Sequence, residues 1–377
     1  MNSSTGLRFL VARKDLHRTR VTTDPDAPDA RALQEGEARL CIDRFALTAN
    51  NITYAAFGDA MKYWEFFPVE DAAWGCVPVW GFATVVESRA AGVETGRRVY
   101  GFLPMGTHLV VQAGQVSASG FTDLASHRRD LAAVYNRLVW CDADPGYAPA
   151  REAEQAVLRP LFTTSFLIDD FFAEAGFFGA GQLILSSASS KTAYGTAHCL
   201  AQRRGMPGAP RIVGLTSSGH LEFVRSLGCY DSVVSYEDLA TLDTAVPAAY
   251  IDFAGNAALR RTIHGQFMDQ LRYSCSVGGT HWDDLGGGGG LPGPRPTLFF
   301  APGQIKKRSA APPEGWGAQE LQRRIGTASG AFVARVSDPA RPWLRIVERH
   351  GADGIEAAFA AQRDGRVDAR DGLILAW

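Results

Sequence analysis

Apolar and polar positions change rhythm along the chain. Through the first 150 residues or so, short alternating or apolar runs are bounded by turn residues: Ala38–Phe45, Val77–Glu87, Arg97–Leu103 and His108–Gln112. Runs of this kind predict strands, and their density predicts a compact, mostly β unit. From about residue 155 strands and helices alternate. Gln182–Ser186 predicts a strand and Ala193–Arg204 a helix, and Arg211–Thr216 with His220–Leu227 repeats the pair. Ser232–Tyr236, Ala249–Phe253, Tyr273–Val277 and Thr297–Phe300 continue as strands. Strands too apolar to have a wet face predict a parallel sheet covered by helices on both sides. Ligands of such sheets bind at the carboxyl ends of the strands. Gly354–Arg363 then predicts a helix and Gly372–Trp377 a closing apolar strand.

Composition narrows the function classes. A length of 377 residues predicts two to three domains at about 150 residues each. Lys and Arg number 38 against 40 Asp and Glu, a net charge of -2. That balance excludes a nucleic-acid grip driven by counterion release. Cys41, Cys76, Cys141, Cys199, Cys229 and Cys275 are scattered with no Cys-x-x-Cys pair, which argues against a disulfide scaffold or zinc knuckle. Met1 to Arg20 lacks the apolar stretch of a signal peptide, and no apolar run approaches the ~20 residues of a membrane span. The chain reads as soluble, reduced and cytoplasmic, with a small-molecule substrate and neither nucleic acid nor membrane as partner. Five of its 40 glycines form the run Gly286–Gly290, expected to be a mobile connector or a lid. The aromatic patch Tyr63-Trp64-Glu65-Phe66-Phe67-Pro68 fits either core filling or the wall of an apolar pocket.

The stretch from Gln182 to Gly195 has the order strand, small-residue turn, helix, which offers amides and a helix dipole to a phosphate. Serines occupy most of the places where Gly-x-Gly-x-x-Gly would stand: Ser187, Ser189 and Ser190 precede Lys191 and Thr192, and Gly195 alone remains. A lysine in the first turn opposes the helix dipole by roughly 0.3–1 kcal/mol, a cost that a bound anion reverses. After Arg211–Thr216 come Ser217 and Ser218, with no acid until Glu222. A carboxylate there would hold the ribose diol of NAD, whereas hydroxyls and a cation favour the 2′-phosphate of NADP. Helix capping by Ser217 or Ser218 is compatible with both.

The order of motifs resembles the medium-chain dehydrogenase/reductase superfamily, in its zinc-free quinone oxidoreductase and enoyl reductase branch. The residues that carry the resemblance are Leu47–Gly58, Val77–Glu87, Gly96-Arg97-Arg98-Val99-Tyr100-Gly101, Ser226–Val234, Asp252-Phe253-Ala254-Gly255 and Val277-Gly278-Gly279-Thr280. The serine turn, Asn50–Tyr54 and Phe299-Phe300-Ala301-Pro302 look closer to a bacterial group catalogued only as a domain of unknown function. Gly81-Phe82-Ala83 replaces the Gly-His-Glu of the zinc-dependent branch.

The resemblance implies an α/β fold: an N-terminal GroES-like β-rich domain, 1–154 with 307–377, plus a Rossmann-type doubly wound parallel sheet, 155–306. It implies NADP(H), no metal, and a homodimer joined at the nucleotide-domain sheet edge. Tyr54, four residues before Gly58, is the expected proton donor, with Asn50 and Asn51 orienting a carbonyl. Thr163 and Thr164 are expected near the nicotinamide and Gly278 and Gly279 among the cofactor-binding residues, with His281 a further candidate. The chemistry expected is reduction of an activated C=C or C=O of an apolar small molecule. A fold relative that has lost dinucleotide binding, acting as a non-redox enzyme or scaffold, stays open beside it.

Overall fold

The computed structural model describes residues 6–277 and 290–377. Gly278, Gly279, His281 and most of the five-glycine run lie outside them. The chain divides into two compact units, Met1–Val157 with Leu344–Trp377, and Leu158–Trp343.

The first unit opens with β1 (Leu7–Ala12) and β2 (Asp15–Thr23), and continues with β3 (Glu37–Leu47), helix α1 (Ala49–Ala56), β4 (Trp74–Gly75), β5 (Pro78–Ser88), β6 (Arg98–Pro104), β7 (His108–Ser117), β8 (Gly120–Asp123) and β9 (Arg137–Trp140). Strands β3, β5, β6, β9, β8 and β7 pair in that order, and β7 pairs back onto β3. Closure removes the free edges that an open antiparallel sheet would leave. Its interior is filled by the alternating apolar residues of the sequence pattern, among them Leu40, Phe45, Val85 and Phe121. Gly81 is glycine for a steric reason: a Cβ there would stand 2.4 Å from the Arg44 carbonyl oxygen. Helix α2 (Glu152–Glu174) carries the chain into the second unit.

The second unit is built on β10 (Gln182–Leu185), α3 (Lys191–Ala201), β11 (Arg211–Thr216), α4 (Leu221–Ser226), β12 (Ser232–Ser235), β13 (Ala248–Asp252), α5 (Ala257–Phe267), β14 (Leu271–Ser276) and β15 (Thr297–Leu298). Its six strands lie in the order β12-β11-β10-β13-β14-β15, and every pairing is parallel. The order reverses between β10 and β13, which makes that crevice the switch point where ligands of doubly wound sheets bind. Helices α6 (Ala301–Ser309) and α7 (Ala318–Val336) belong to this unit too. Residues 307–343 therefore group with the second unit, whereas the sequence expectation gave them to the first. The reason is the apolar face of α7: Phe332 stacks on Phe162 of α2 at 4.5 Å and packs against Tyr194 of α3.

The chain then returns to the first unit as β16 (Arg345–His350), α8 (Gly351–Arg363) and β17 (Asp371–Ala376). Strand β17 pairs antiparallel with β3 through Leu373 to Leu375. Among the described residues, no helix is long and apolar enough to cross a membrane.

Candidate functional site

In the second unit, the five residues between β10 and α3 are pinned by hydrogen bonds at almost every position. Ser186 is fully buried and its Oγ donates to Asp252 Oδ1 at 2.9 Å. The same oxygen accepts the amides of Phe253 and Ala254 at 2.9 and 3.0 Å. Asp252 also takes the Gly255 amide and, on its other oxygen, the Arg260 guanidinium. The ends of the two central strands are thus tied together by one hydroxyl and one carboxylate.

Ser187 follows with φ 47°, in the left-handed region where glycine is the default. Its amide donates to Tyr236 Oη at 2.9 Å. The Ala188 amide donates to the Leu215 carbonyl, and Tyr230 donates to the Ala188 carbonyl. This lays the turn flat on β11, where a Cβ on Gly214 would stand 3.0 Å from that of Ala188. Ser190 caps α3 by accepting the Ala193 amide at 3.3 Å. Among the described residues, the amides of Ser189 and Thr192 have no protein acceptor. With the dipole of α3 behind them and Lys191 beside them, they are the donors available to an anion.

The hydroxyls of Ser189 and Ser217 both lie on His220 Nδ1, at 3.3 and 3.2 Å. This imidazole joins the turn after β10 to the end of β11. His220 was not among the site residues expected from sequence; the signal was its place four residues beyond β11, in a segment without a carboxylate. Ser218 is exposed, and Ser217 at the N-cap position makes no side-chain cap. Thr163 and Thr164 turn their hydroxyls back onto the carbonyls of Arg159 and Pro160 within α2. Ser165 is the residue of that helix that reaches α3, donating to the Thr192 carbonyl at 2.8 Å.

In the first unit, Thr48 and Asn51 start α1 with a capping box. Asn51 Oδ1 accepts the Thr48 amide at 2.7 Å and its Nδ2 donates to the Pro78 carbonyl at 2.9 Å. Asn51 is therefore occupied in holding α1 against β5. Tyr54, one turn along, is 5% exposed and takes the Trp80 indole N–H on its oxygen at 3.4 Å. Asn50 is half-buried on the same helix, and the Tyr135 ring lies edge-on to that of Tyr54 at 6.4 Å. Its ring lies 4.4 Å from Tyr63 and 5.5 Å from Phe102. The aromatic patch of the sequence thus forms the wall around Tyr54, with Phe66 edge-on to Phe102. Burial holds the Tyr54 phenol well above its ordinary ionisation range. A neutral, oriented O–H is a proton donor at any physiological pH.

The model of a family described as "Protein of unknown function (DUF2855)" matches residues 45–368. The chain belongs to that family. None of the curated proteins matches it. Several solved structures share its fold over nearly the whole length. CurA from Vibrio vulnificus, solved in complex with NADPH, is 12% identical over 98% of each chain, with a TM-score of 0.58. The yhdH oxidoreductase from Salmonella enterica, in complex with NADP, is 12% identical over 98% of this chain and 99% of its own, with a TM-score of 0.53. The quinone oxidoreductase from Coxiella burnetii is 10% identical over 99% of this chain and 100% of its own, with a TM-score of 0.55. At such identities the likeness is one of fold: a GroES-like unit and a Rossmann-type unit in one chain, as the order of sequence motifs implied.

Proposed function

We propose that this DUF2855 protein is a metal-free, NADP(H)-dependent oxidoreductase that reduces an activated C=C or C=O of an apolar small molecule. The observation that carries this is the turn 186–192 joined to His220 at the switch point of the sheet. It presents two amides without protein acceptors, a helix N-terminus and an imidazole, with no carboxylate at the end of β11. That donor set fits a dinucleotide diphosphate and a 2′-phosphate. Ser187, Ser189, Ser190, Lys191 and Thr192 would hold the diphosphate, and Ser217, Ser218 and His220 the adenosine side. Structures of the same fold that carry NADPH or NADP support the assignment.

When bound, the nicotinamide supplies the hydride. The protein's part is to polarise the acceptor carbonyl and deliver a proton, roles we assign to Asn50 and Tyr54. Phe82 and Ala83 offer no donor atom to a metal, and Phe82 is packed against Tyr100. We further propose a cytoplasmic homodimer joined along β15, the edge strand, where Leu298 and Phe300 are exposed.

One observation favours the alternative of a fold relative without a dinucleotide. The Ser187 amide, the first of the turn, is already taken by Tyr236. Steady-state oxidation of NADPH with a panel of enones, quinones and aldehydes separates the two. The reductase should turn over at least one class, and Tyr54→Phe should lower kcat by about 100-fold or more with NADPH affinity unchanged. No turnover with any class would count against the proposal.

A further inference from the structure

Trp80 stands on β5, and no role was expected of it from sequence. Pairing with β6 sets it opposite Phe102. Its ring packs on Phe102 at 5.1 Å and stacks on Tyr100 at 5.6 Å, with 17° between the planes. The indole is half-buried, and its N–H donates to Tyr54 Oη at 3.4 Å. Tyr54 in turn is carried by α1, which its capping box starts and the bond from Asn51 to the Pro78 carbonyl holds against β5. Donor and acceptor thus sit on two elements that are locked together independently of the bond between them.

The chemistry of this pair is one-sided. An indole N–H donates a hydrogen bond and never accepts one. Tyr54 Oη therefore accepts from Trp80, and the phenol's own proton is directed away from the indole. Between Tyr63 and Tyr135, by contrast, either oxygen can donate at 3.4 Å. When the Tyr54 proton leaves, charge collects on Oη among aromatic rings, where an unrelieved charge is expensive. Burial pushes the ionisation of this phenol up, and the bond from Trp80 pulls against that rise. At 3.4 Å the bond is long in the resting protein, and such bonds shorten and strengthen as charge develops on the acceptor. The contribution of Trp80 therefore falls on the transition state more than on the bound substrate.

We infer that Trp80 is a positioning residue for the proton transfer, aiming the Tyr54 proton away from the indole and stabilising the phenolate that remains. This rests on the assignment of Tyr54 as donor. The Tyr54 O–H bond breaks as its proton passes to the substrate anion left by hydride addition. The negative charge moves to Oη, where the Trp80 N–H holds it, and water returns one proton to Oη before the next turnover. The indole keeps its own proton throughout. Trp80 acts only through Tyr54.

A double-mutant cycle in the full-length protein tests the pair, with NADPH and a panel of enones, quinones and aldehydes. Trp80→Phe keeps a ring against Tyr100 and Phe102 and removes the N–H. It should lower kcat about tenfold or more, with KM and the Kd for NADPH unchanged. In the Tyr54→Phe background the same substitution should change kcat by less than about twofold, because the oxygen that the N–H serves is gone. A role confined to packing would lower kcat by the same factor in both backgrounds, or raise KM, and either result overturns the proposal. The hydrogen bond is also read without turnover. The Trp80 indole ¹H–¹⁵N signal, identified by its contacts to the rings of Tyr100 and Phe102, should move upfield and exchange faster with water in Tyr54→Phe. An unchanged signal there overturns the proposal even if Trp80→Phe fails to fold. Absence of turnover in the wild type overturns the reductase reading and the role built on it, whereas turnover with an unchanged kcat in Trp80→Phe overturns the role of Trp80 alone.

Discussion

Replacing Ser186 by Ala tests whether the serine turn is a built feature of the second unit. The hydroxyl makes three hydrogen bonds: one given to Asp252 and two received, from the amides of Phe253 and Ala254. Their losses are unequal. Asp252 keeps Arg260 and the amides of Ala254 and Gly255, so its carboxylate stays satisfied. The Ala254 amide keeps Asp252 Oδ1 at 3.1 Å. The Phe253 amide, in a fully buried position beside β10, is left with no acceptor among the described residues. Orphaning one buried amide costs about 1–3 kcal/mol, and the alanine methyl leaves little cavity. The expected loss is about 2 kcal/mol, or roughly 30-fold in the local opening equilibrium. Native-state hydrogen exchange should show this at the Phe253 amide, while amides in the β3–β5 pairing of the first unit stay protected. Equal protection of Phe253 in both proteins would refute the reasoning, because it would mean that another group takes up the amide at no cost.

Other outcomes follow from the same geometry. His220→Ala should raise the Kd for NADPH about tenfold and leave that for NADH nearly unchanged, by fluorescence titration; parallel losses would move His220 away from the 2′-phosphate. Burial raises the ionisation of Tyr54, Tyr194, Tyr230 and Tyr250. A phenol whose folded value is raised adds stability that is fully present below its unfolded value of about 10 and is lost as pH climbs toward the folded one. Tyrosinate absorbance should therefore appear together with loss of circular dichroism in alkaline titration. Ionisation near pH ~10 with the fold intact would contradict the burial of these rings.

Much of the fold was legible because periodicity reports burial directly. Strand β11 runs over Arg211–Thr216 as its apolar pattern indicated. Strand β2 escaped because nearly all its residues face solvent, Leu16 being the one buried, so it reads as a polar, basic lead-in. The boundary at residues 307–343 was misplaced because the faces of α6 and α7 do not say which unit they cover. At the site, the serine turn and Tyr54 were visible as local motifs. Asn51 was expected to be catalytic, whereas it closes the capping box of α1 with Thr48. Tyr236 and Asp252 act through contacts made by strands and loops far away in sequence, which no local pattern encodes.

The central claim is that a turn rewritten in serine still receives the phosphates of NADPH. Titration of the purified protein with NADPH, followed by nicotinamide fluorescence or calorimetry, tests it most directly. The account predicts saturable binding in the micromolar range, weaker for NADH, and weakened further by Ser189→Asp, which places a negative charge beside the free amides. Absence of NADPH binding at concentrations up to about 1 mM would contradict it.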